Sequence, residues 1–320
     1  MIAAATPESI ARAAQLLRDG AVVAFPTETV YGLGADATNA AAAARIFAIK
    51  NRPSFDPLIV HLADAGGLSA VAADCPPAAR RLIARYWPGP LTIVLPKTAR
   101  VPDIVTAGLS SVAVRVPDHP VARQLLDAAG LPIAAPSANP FGYISPTSAA
   151  HVAAQLGDAV PLILDGGPCQ VGVESTIVSF VDPTPTLLRP GAVTLEMLQA
   201  ELGEVAIGGD ASRPTAPGQL PRHYAPHTVV QLIADPSAVA PADRRGGALL
   251  SCGPTADVAG FAAVEILAAD GDLATAATRL FAALRALDAG GFRRIYAVTV
   301  PERGLGRAIM DRLRRSTAAA

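Results

Sequence analysis

Residues 26–61 gather the side chains best suited to chemistry: Pro26-Thr27-Glu28-Thr29-Val30-Tyr31-Gly32-Leu33-Gly34, then Lys50-Asn51-Arg52-Pro53, then His61. Two threonine hydroxyls, a carboxylate and a phenol in a glycine-punctuated turn can orient a small polar molecule. Lys50 and Arg52 add a compact ammonium and a planar guanidinium fork, both of which suit phosphate oxygens. The macrodipole alone also accounts for two cations at a helix end, so the pair does not by itself define a site. Neither common phosphate loop is present: Gly32 and Gly34 lack the third glycine of a dinucleotide fingerprint, and no Gly-x-x-x-x-Gly-Lys-Ser/Thr occurs. An anion here must be held mainly by side chains.

The elements that would position these groups can be read around them. The apolar run 21–25 predicts a strand ending at Pro26, and the alanine-rich segment 40–49 predicts a helix with Asn39 as N-cap. Residues 58–62 predict a second strand with His61 in its middle, so the stretch reads as one βαβ-like unit. Arg115 interrupts the apolar run 112–116, which fits either a paired or anion-facing cation or a charge on an edge strand. Helices are expected over 76–86 and 118–129, and strands over 91–95, 131–135, 162–164, 174–178 and 187–189. Polar groups recur at strand ends, at Ser137, the hydroxyls of Ser175 and Thr176, and Arg189, where open α/β sheets build their sites. Ser145 and Thr147 are most simply hydroxyls that cap the helix after Pro146.

The combination Pro-Thr-Glu-Thr-Val-Tyr-Gly-Leu-Gly, Lys-x-Arg-Pro and Pro57-Leu58-Ile59-Val60-His61 resembles the L-threonylcarbamoyladenylate synthase family, built on the YrdC-like domain. The resemblance covers essentially the whole chain and points to the longer, two-domain branch. It implies an α/β fold: a YrdC-like twisted mixed sheet with flanking helices, followed by a smaller Rossmann-like α/β domain. It also implies condensation of L-threonine, bicarbonate or CO2 and ATP into threonylcarbamoyl-AMP with release of pyrophosphate. A separate transfer machinery would then use that product to modify the adenosine beside the anticodon of tRNA. By matching motif positions, the resemblance implies a threonine pocket of Tyr31, His61, Arg115, Ala135 and Ser175. It implies nucleotide contacts from Arg52, Asp56, Ser111, Ser137, Ser145, Arg189 and Tyr224, with Lys50 and Arg52 positioning phosphate. Asp56 stands where some relatives carry asparagine. Mg²⁺ would arrive with ATP, with no metal held directly by the protein and no prosthetic group. Glu28, with Thr27 and Thr29, is placed to shape the amine and carbamate end.

Composition sets the outer limits. The chain has 320 residues, 51% hydrophobic and 17% charged, enough to form two cores. No apolar run reaches eighteen residues, and the first twenty read as an amphipathic helix starting near Thr6-Pro7, so neither a membrane span nor a signal peptide is expected. A net charge of -1 weighs against a stand-alone RNA-binding module. Cys75, Cys169 and Cys252 form no C-x-x-C pair, which fits a reducing cytoplasm and excludes the zinc-finger segments of hydrogenase-maturation carbamoyl-transfer proteins built on a similar domain.

Domain boundaries are expected at 1–206 for the catalytic domain and 229–320 for the second, with strands at 229–233, 247–250 and 295–300 and helices at 273–287 and 304–313. Between them, 207–228 is a proline- and glycine-rich tether containing Arg222-His223-Tyr224-Ala225-Pro226-His227. It is expected to fold over the nucleotide as a lid, with Tyr224 touching ATP. Arg312, Arg314 and Arg315 read as helix-terminal charges, and the end from Thr317 onward as frayed.

Overall fold

The computed structural model describes residues 1–208 and 214–317, so the linker positions 209–213 and positions 318–320 of the expected frayed end lie outside the described residues, while Thr317, also expected to fray, ends the helix Leu305–Thr317. Local chemistry starts the helices. Thr6 and Ser9 form a capping box on Pro7–Arg18, and the Asn39 carbonyl oxygen accepts from the amides of Ala41 and Ala42 at the head of Ala40–Lys50. Asp272 does the same for Leu273–Ala289. Ser145, expected to cap, does not: the helix Ala149–Leu156 begins later and is capped by Ser148.

The first domain holds β1 (Ile2–Ala4), β2 (Val23–Phe25), β3 (Gly32–Asp36), β4 (Ile59–His61), β5 (Leu91–Pro96) and β6 (Ser111–Arg115). It continues with β7 (Ile133–Ala134), β8 (Leu162–Asp165), β9 (Thr176–Ser179), β10 (Thr186–Arg189) and β11 (Ala206–Ile207). These eleven strands form one mixed sheet in the order β1-β8-β2-β3-β7-β4-β6-β5-β9-β10-β11. The expected strand–helix–strand unit is therefore corrected, because β3 and β7 lie between β2 and β4. The glycines taken for turn residues are strand residues that permit close approach. A Cβ on Gly34 would sit 2.7 Å from the Phe25 ring and 2.8 Å from Ile133. β1 was also unforeseen, being too short and too exposed to carry an alternation signal.

The second domain has β12 (Val230–Ile233), β13 (Gly247–Ser251), β14 (Ala263–Ile266) and β15 (Arg294–Val298), all parallel, in the order β12-β15-β13-β14. Leu273–Ala289 and the final helix Leu305–Thr317 contribute buried faces to its core. The edge strand β14 is half-exposed and has no clean period, which is why it could not be foreseen.

The two domains share an apolar interior. Val30, Ile144 and Val173 from the first pack in one cluster with Leu280, Phe281 and Leu284 from the second and with Tyr224 from the linker. Gly172 (φ +75°) makes the contact tight, since a Cβ there would lie 2.3 Å from the Thr278 backbone. The Thr278 hydroxyl donates to the Gln170 carbonyl at 2.7 Å across the same seam.

Candidate active site

Strand ends converge on one cavity. β4 brings Ile59 and His61, β6 brings Arg115, and the segment after β7 brings Ala135, Pro136 and Ser137. Glu174 and Ser175 lead into β9, Arg189 ends β10, and Thr27, Thr29, Val30 and Gly32 close the near side. Arg52 follows the helix Ala40–Lys50. Pro217, Gly218, His223 and Tyr224 of the linker form the roof, and the enclosed space is about 40 Å³, room for a few waters.

One half of the cavity suits a small zwitterion. Arg115 lies on an interior strand, which rules out the edge-strand reading, and is buried, with Nη2 left without a hydrogen-bond partner beside its ion pair. Its Nε donates to the Gly89 carbonyl (3.1 Å), Nη1 to the Thr29 hydroxyl (2.9 Å), and Nη2 lies 2.5 Å from the Glu28 carboxylate. Thr27 and Thr29 share a 2.8 Å hydroxyl contact, and the Thr27 oxygen organises the turn by accepting from the amides of Thr29 and Val30. His61 is buried with Nδ1 unpartnered, and burial, reinforced by Arg115, pushes its pKa down to about 3. It is therefore a neutral imidazole.

The other half is cationic. Arg52 donates from Nη2 to the Pro57 carbonyl (2.8 Å) and from Nε to the Asp56 carbonyl (3.0 Å), and pairs with the Asp56 carboxylate at 2.9 Å. Burial lowers the Arg52 pKa and raises that of Asp56, so desolvation outweighs their mutual attraction. Arg189 grips Ser175 twice, Nε on its carbonyl and Nη2 on its hydroxyl, each at 3.0 Å, and reaches the Pro217 carbonyl of the roof at 3.3 Å. Tyr224 is buried at φ +59°, with its hydroxyl unpartnered and its pKa raised to about 12 by burial.

Eight of the expected site residues thus line the cavity: Arg52, His61, Arg115, Ala135, Ser137, Ser175, Arg189 and Tyr224. Five do not. Tyr31 donates its hydroxyl to the Gly167 carbonyl at 2.7 Å, and Thr29 occupies the wall instead. Lys50 is fully buried with Nζ on the carbonyls of Ser137 and Asn139, so it braces the loop that carries Ser137. Asp56 backs Arg52, and Ser145 donates to Glu174. Ser111 starts β6, about 13 Å along the strand from Arg115 but on the same face, since Val112 and Val114 point into the opposite core. Glu174, Gly218 and His223 were not singled out as site residues, and neither was Arg312. Read as a helix-terminal charge, Arg312 is instead fully buried and paired with Glu174 at 2.8 Å.

Comparison with known proteins gives the family. The Sua5/YciO/YrdC family, described as telomere recombination, matches residues 15–191, and the threonylcarbamoyl-AMP synthase C-terminal domain matches 193–319. Threonylcarbamoyl-AMP synthase of Bacillus subtilis is 43% identical over 319 residues, covering 96% of this chain and 92% of its own. The Pyrococcus abyssi enzyme of the same name is 41% identical, covering 95% and 93%. The crystal structure of P. abyssi Sua5 complexed with L-threonine superposes with a TM-score of 0.90 at 41% identity, covering 96% of this chain and 94% of that one. With both domain matches contiguous and the site assembled at their junction, the chain belongs to the threonylcarbamoyl-AMP synthase family in its two-domain form.

Proposed function

We propose that the protein makes L-threonylcarbamoyl-AMP from L-threonine, bicarbonate or CO2, and ATP, releasing pyrophosphate. The product supplies the group transferred to the tRNA adenosine beside the anticodon. The observation that carries this reading is the juxtaposition under one roof of a neutral histidine with a buried Arg115–Glu28–Thr29 set and a pair of arginines, Arg52 and Arg189. The first group fits an amino acid, and the second fits phosphates.

In this reading Arg115 receives the threonine carboxylate, the Thr27 and Thr29 hydroxyls orient it, and His61 Nδ1 accepts a hydrogen bond from the amine or hydroxyl. With a pKa of about 3, His61 orients rather than stores a proton. The neutral amine nitrogen bonds to the carbon of CO2 and loses a proton, giving a carbamate. A carbamate oxygen then bonds to the α-phosphorus of ATP, while the bond to the bridging oxygen breaks and pyrophosphate leaves with the electron pair. Arg52 and Arg189 offset the charge on the phosphates, and Lys50 holds Ser137 in place from behind. ATP enters as its Mg²⁺ complex, a substrate and not a resident metal. Glu174, the carboxylate in the cavity wall, is held by Ser145 and Arg312, and Glu28 lies outside the wall against Arg115.

The roof segment acts as a lid. A cavity of about 40 Å³ does not admit ATP, and Ala216 sits on the apolar floor made by Ile59, Ala113 and Ile177. Lifting residues 216–218 opens that floor along the face of β6 toward Ser111, where the adenosine has room. Closure then excludes water from a mixed anhydride that water destroys. The placement in a reducing compartment, the cytoplasm, accords with three buried free thiols.

The test is pyrophosphate release by purified protein with ATP, Mg²⁺ and bicarbonate, with and without L-threonine, and with serine as the comparison. Threonine-dependent release with threonylcarbamoyl-AMP detected by mass spectrometry is the expected result. ATP binding without release would overturn the reaction.

A further inference from the structure

Arg312 belongs to the final helix, in the domain that contributes nothing directly to the cavity wall, yet it is fully buried beneath that wall. Its guanidinium is saturated from two sides of the site. Nε lies 2.8 Å from the Glu174 carboxylate, Nη2 donates to the Glu174 carbonyl at 3.4 Å, and Nη1 donates to the Pro190 carbonyl (2.9 Å) and to Asp311 (2.6 Å). Its Cζ stands 5.1 Å from the centre of the Tyr224 ring, whose other contacts include Phe281, stacked at 5.5 Å. Glu174 and Pro190 adjoin Ser175 and Arg189, the two cavity residues that bond to each other. The same helix also grips the lid backbone: Arg315 donates to the Leu220 carbonyl at 2.5 Å, and its own carbonyl accepts from the His223 amide at 3.2 Å.

Stability alone is a weak reason for this arrangement, since a buried ion pair often contributes no more than well-packed apolar groups of the same volume. A planar fork with a usable π face does, however, fix the orientation of everything it touches. Building on the proposed reaction, we infer that Arg312 is a positioning residue for it. It orients the Tyr224 ring and the Ser175–Arg189 pair in the closed site, and so assigns to the second domain the task of holding the lid shut over the nucleotide.

Arg312→Gln and Arg312→Lys test this beside Arg244→Gln, which removes another buried arginine, somewhat more exposed than Arg312 and paired with the half-exposed Asp257, away from the cavity. One readout is the rate of tryptic cleavage after the exposed Arg222, and the other is the split between ATP KM and kcat in threonine-dependent pyrophosphate release. Arg312→Gln should speed cleavage and raise ATP KM, each by roughly tenfold, with a smaller fall in kcat. Arg312→Lys, which keeps the charge but not the fork, should fall between Arg312→Gln and wild type. Arg244→Gln should leave both readouts within about twofold of wild type while lowering the melting temperature. Wild-type cleavage and ATP KM in a folded Arg312→Gln protein would overturn the inference, as would the same changes in Arg244→Gln. If Arg312→Gln does not fold, Arg312→Lys decides by the same two measurements, with wild-type values overturning the inference. If the unaltered protein releases no pyrophosphate, the proposed reaction fails, whereas the cleavage rates still report whether Arg312 holds the lid.

Discussion

Thr29 and Tyr31 are two positions apart, and only Thr29 faces the cavity. The choice is made by the Thr27 hydroxyl, which accepts from the amides of Thr29 and Val30 and donates to the Val30 carbonyl, turning the chain between the two side chains. A motif read along the sequence holds both residues and has no way to encode that rotation, so the cavity wall was legible to the segment and not to the residue. His61, Arg115 and Ser175 were legible individually because each interrupts or borders an apolar strand, where a polar side chain needs a partner. Thr29→Val should remove the hydroxyl held by Arg115 and raise the threonine KM by about tenfold, consistent with ~1.5 kcal/mol for a bond to a charged group, with ATP KM unchanged. Pyrophosphate release at varied threonine measures this directly.

His61 also sets an acid limit on the fold. Its folded pKa of about 3 lies below the unfolded value near 6.5, so between those values only the unfolded chain takes up the proton. Its contribution to stability is intact above about pH 6.5 and is lost as pH falls toward 3. His151, pushed down to about 4 by burial and then by Arg285, acts in the same direction. Urea midpoints should therefore drop steadily from pH 7 to pH 4, and a His61→Gln protein should show a shallower decline. An equal slope in both proteins would remove His61 from the account.

At the scale of elements, the roof of the cavity turns on a left-handed glycine. Gly218 has φ +82°, and a Cβ there would sit 2.7 Å from the Tyr224 hydroxyl and 3.1 Å from the Arg189 side chain. Gly218→Ala should therefore displace the roof, adding strain of roughly 1–3 kcal/mol to the closed state and raising ATP KM at least several-fold. Wild-type ATP kinetics in that variant would mean that the roof adapts without Tyr224. That the tether reaches the cavity was legible from its aromatic and cationic cluster, which brings His223 and Tyr224 to the roof. What could not be read was that the final helix, itself expected at 304–313, bonds to the linker through Arg315. The glycines of β3 were misread for a related reason: a strand residue without a side chain leaves no period, and only the neighbouring Phe25 and Ile133 explain it.

At the scale of the molecule, the partnership between Arg312 and Glu174 spans 138 residues, and that distance explains why nothing nearby in sequence announces it. Composition announced two α/β units, which form two separate sheets, but the seam between them was not legible, because Val30, Ile144 and Val173 look like ordinary core residues. Phe281→Ala should lower unfolding stability by about 3–5 kcal/mol and perturb ATP binding as well, since the ring supports Tyr224. Denaturant titration with and without ATP checks both effects.

The shared interior across Gly172 also bears on heat capacity and cooperativity. Domains joined only by a tether melt as separable events, each with its own enthalpy, whereas these two halves meet with backbone against backbone and one cluster between them. Scanning calorimetry should accordingly record a single endotherm whose calorimetric and van't Hoff enthalpies agree. Replacing Gly172 by alanine would drive a methyl into the Thr278 backbone and should divide that endotherm in two, with neither half retaining the ATP-induced rise in melting temperature.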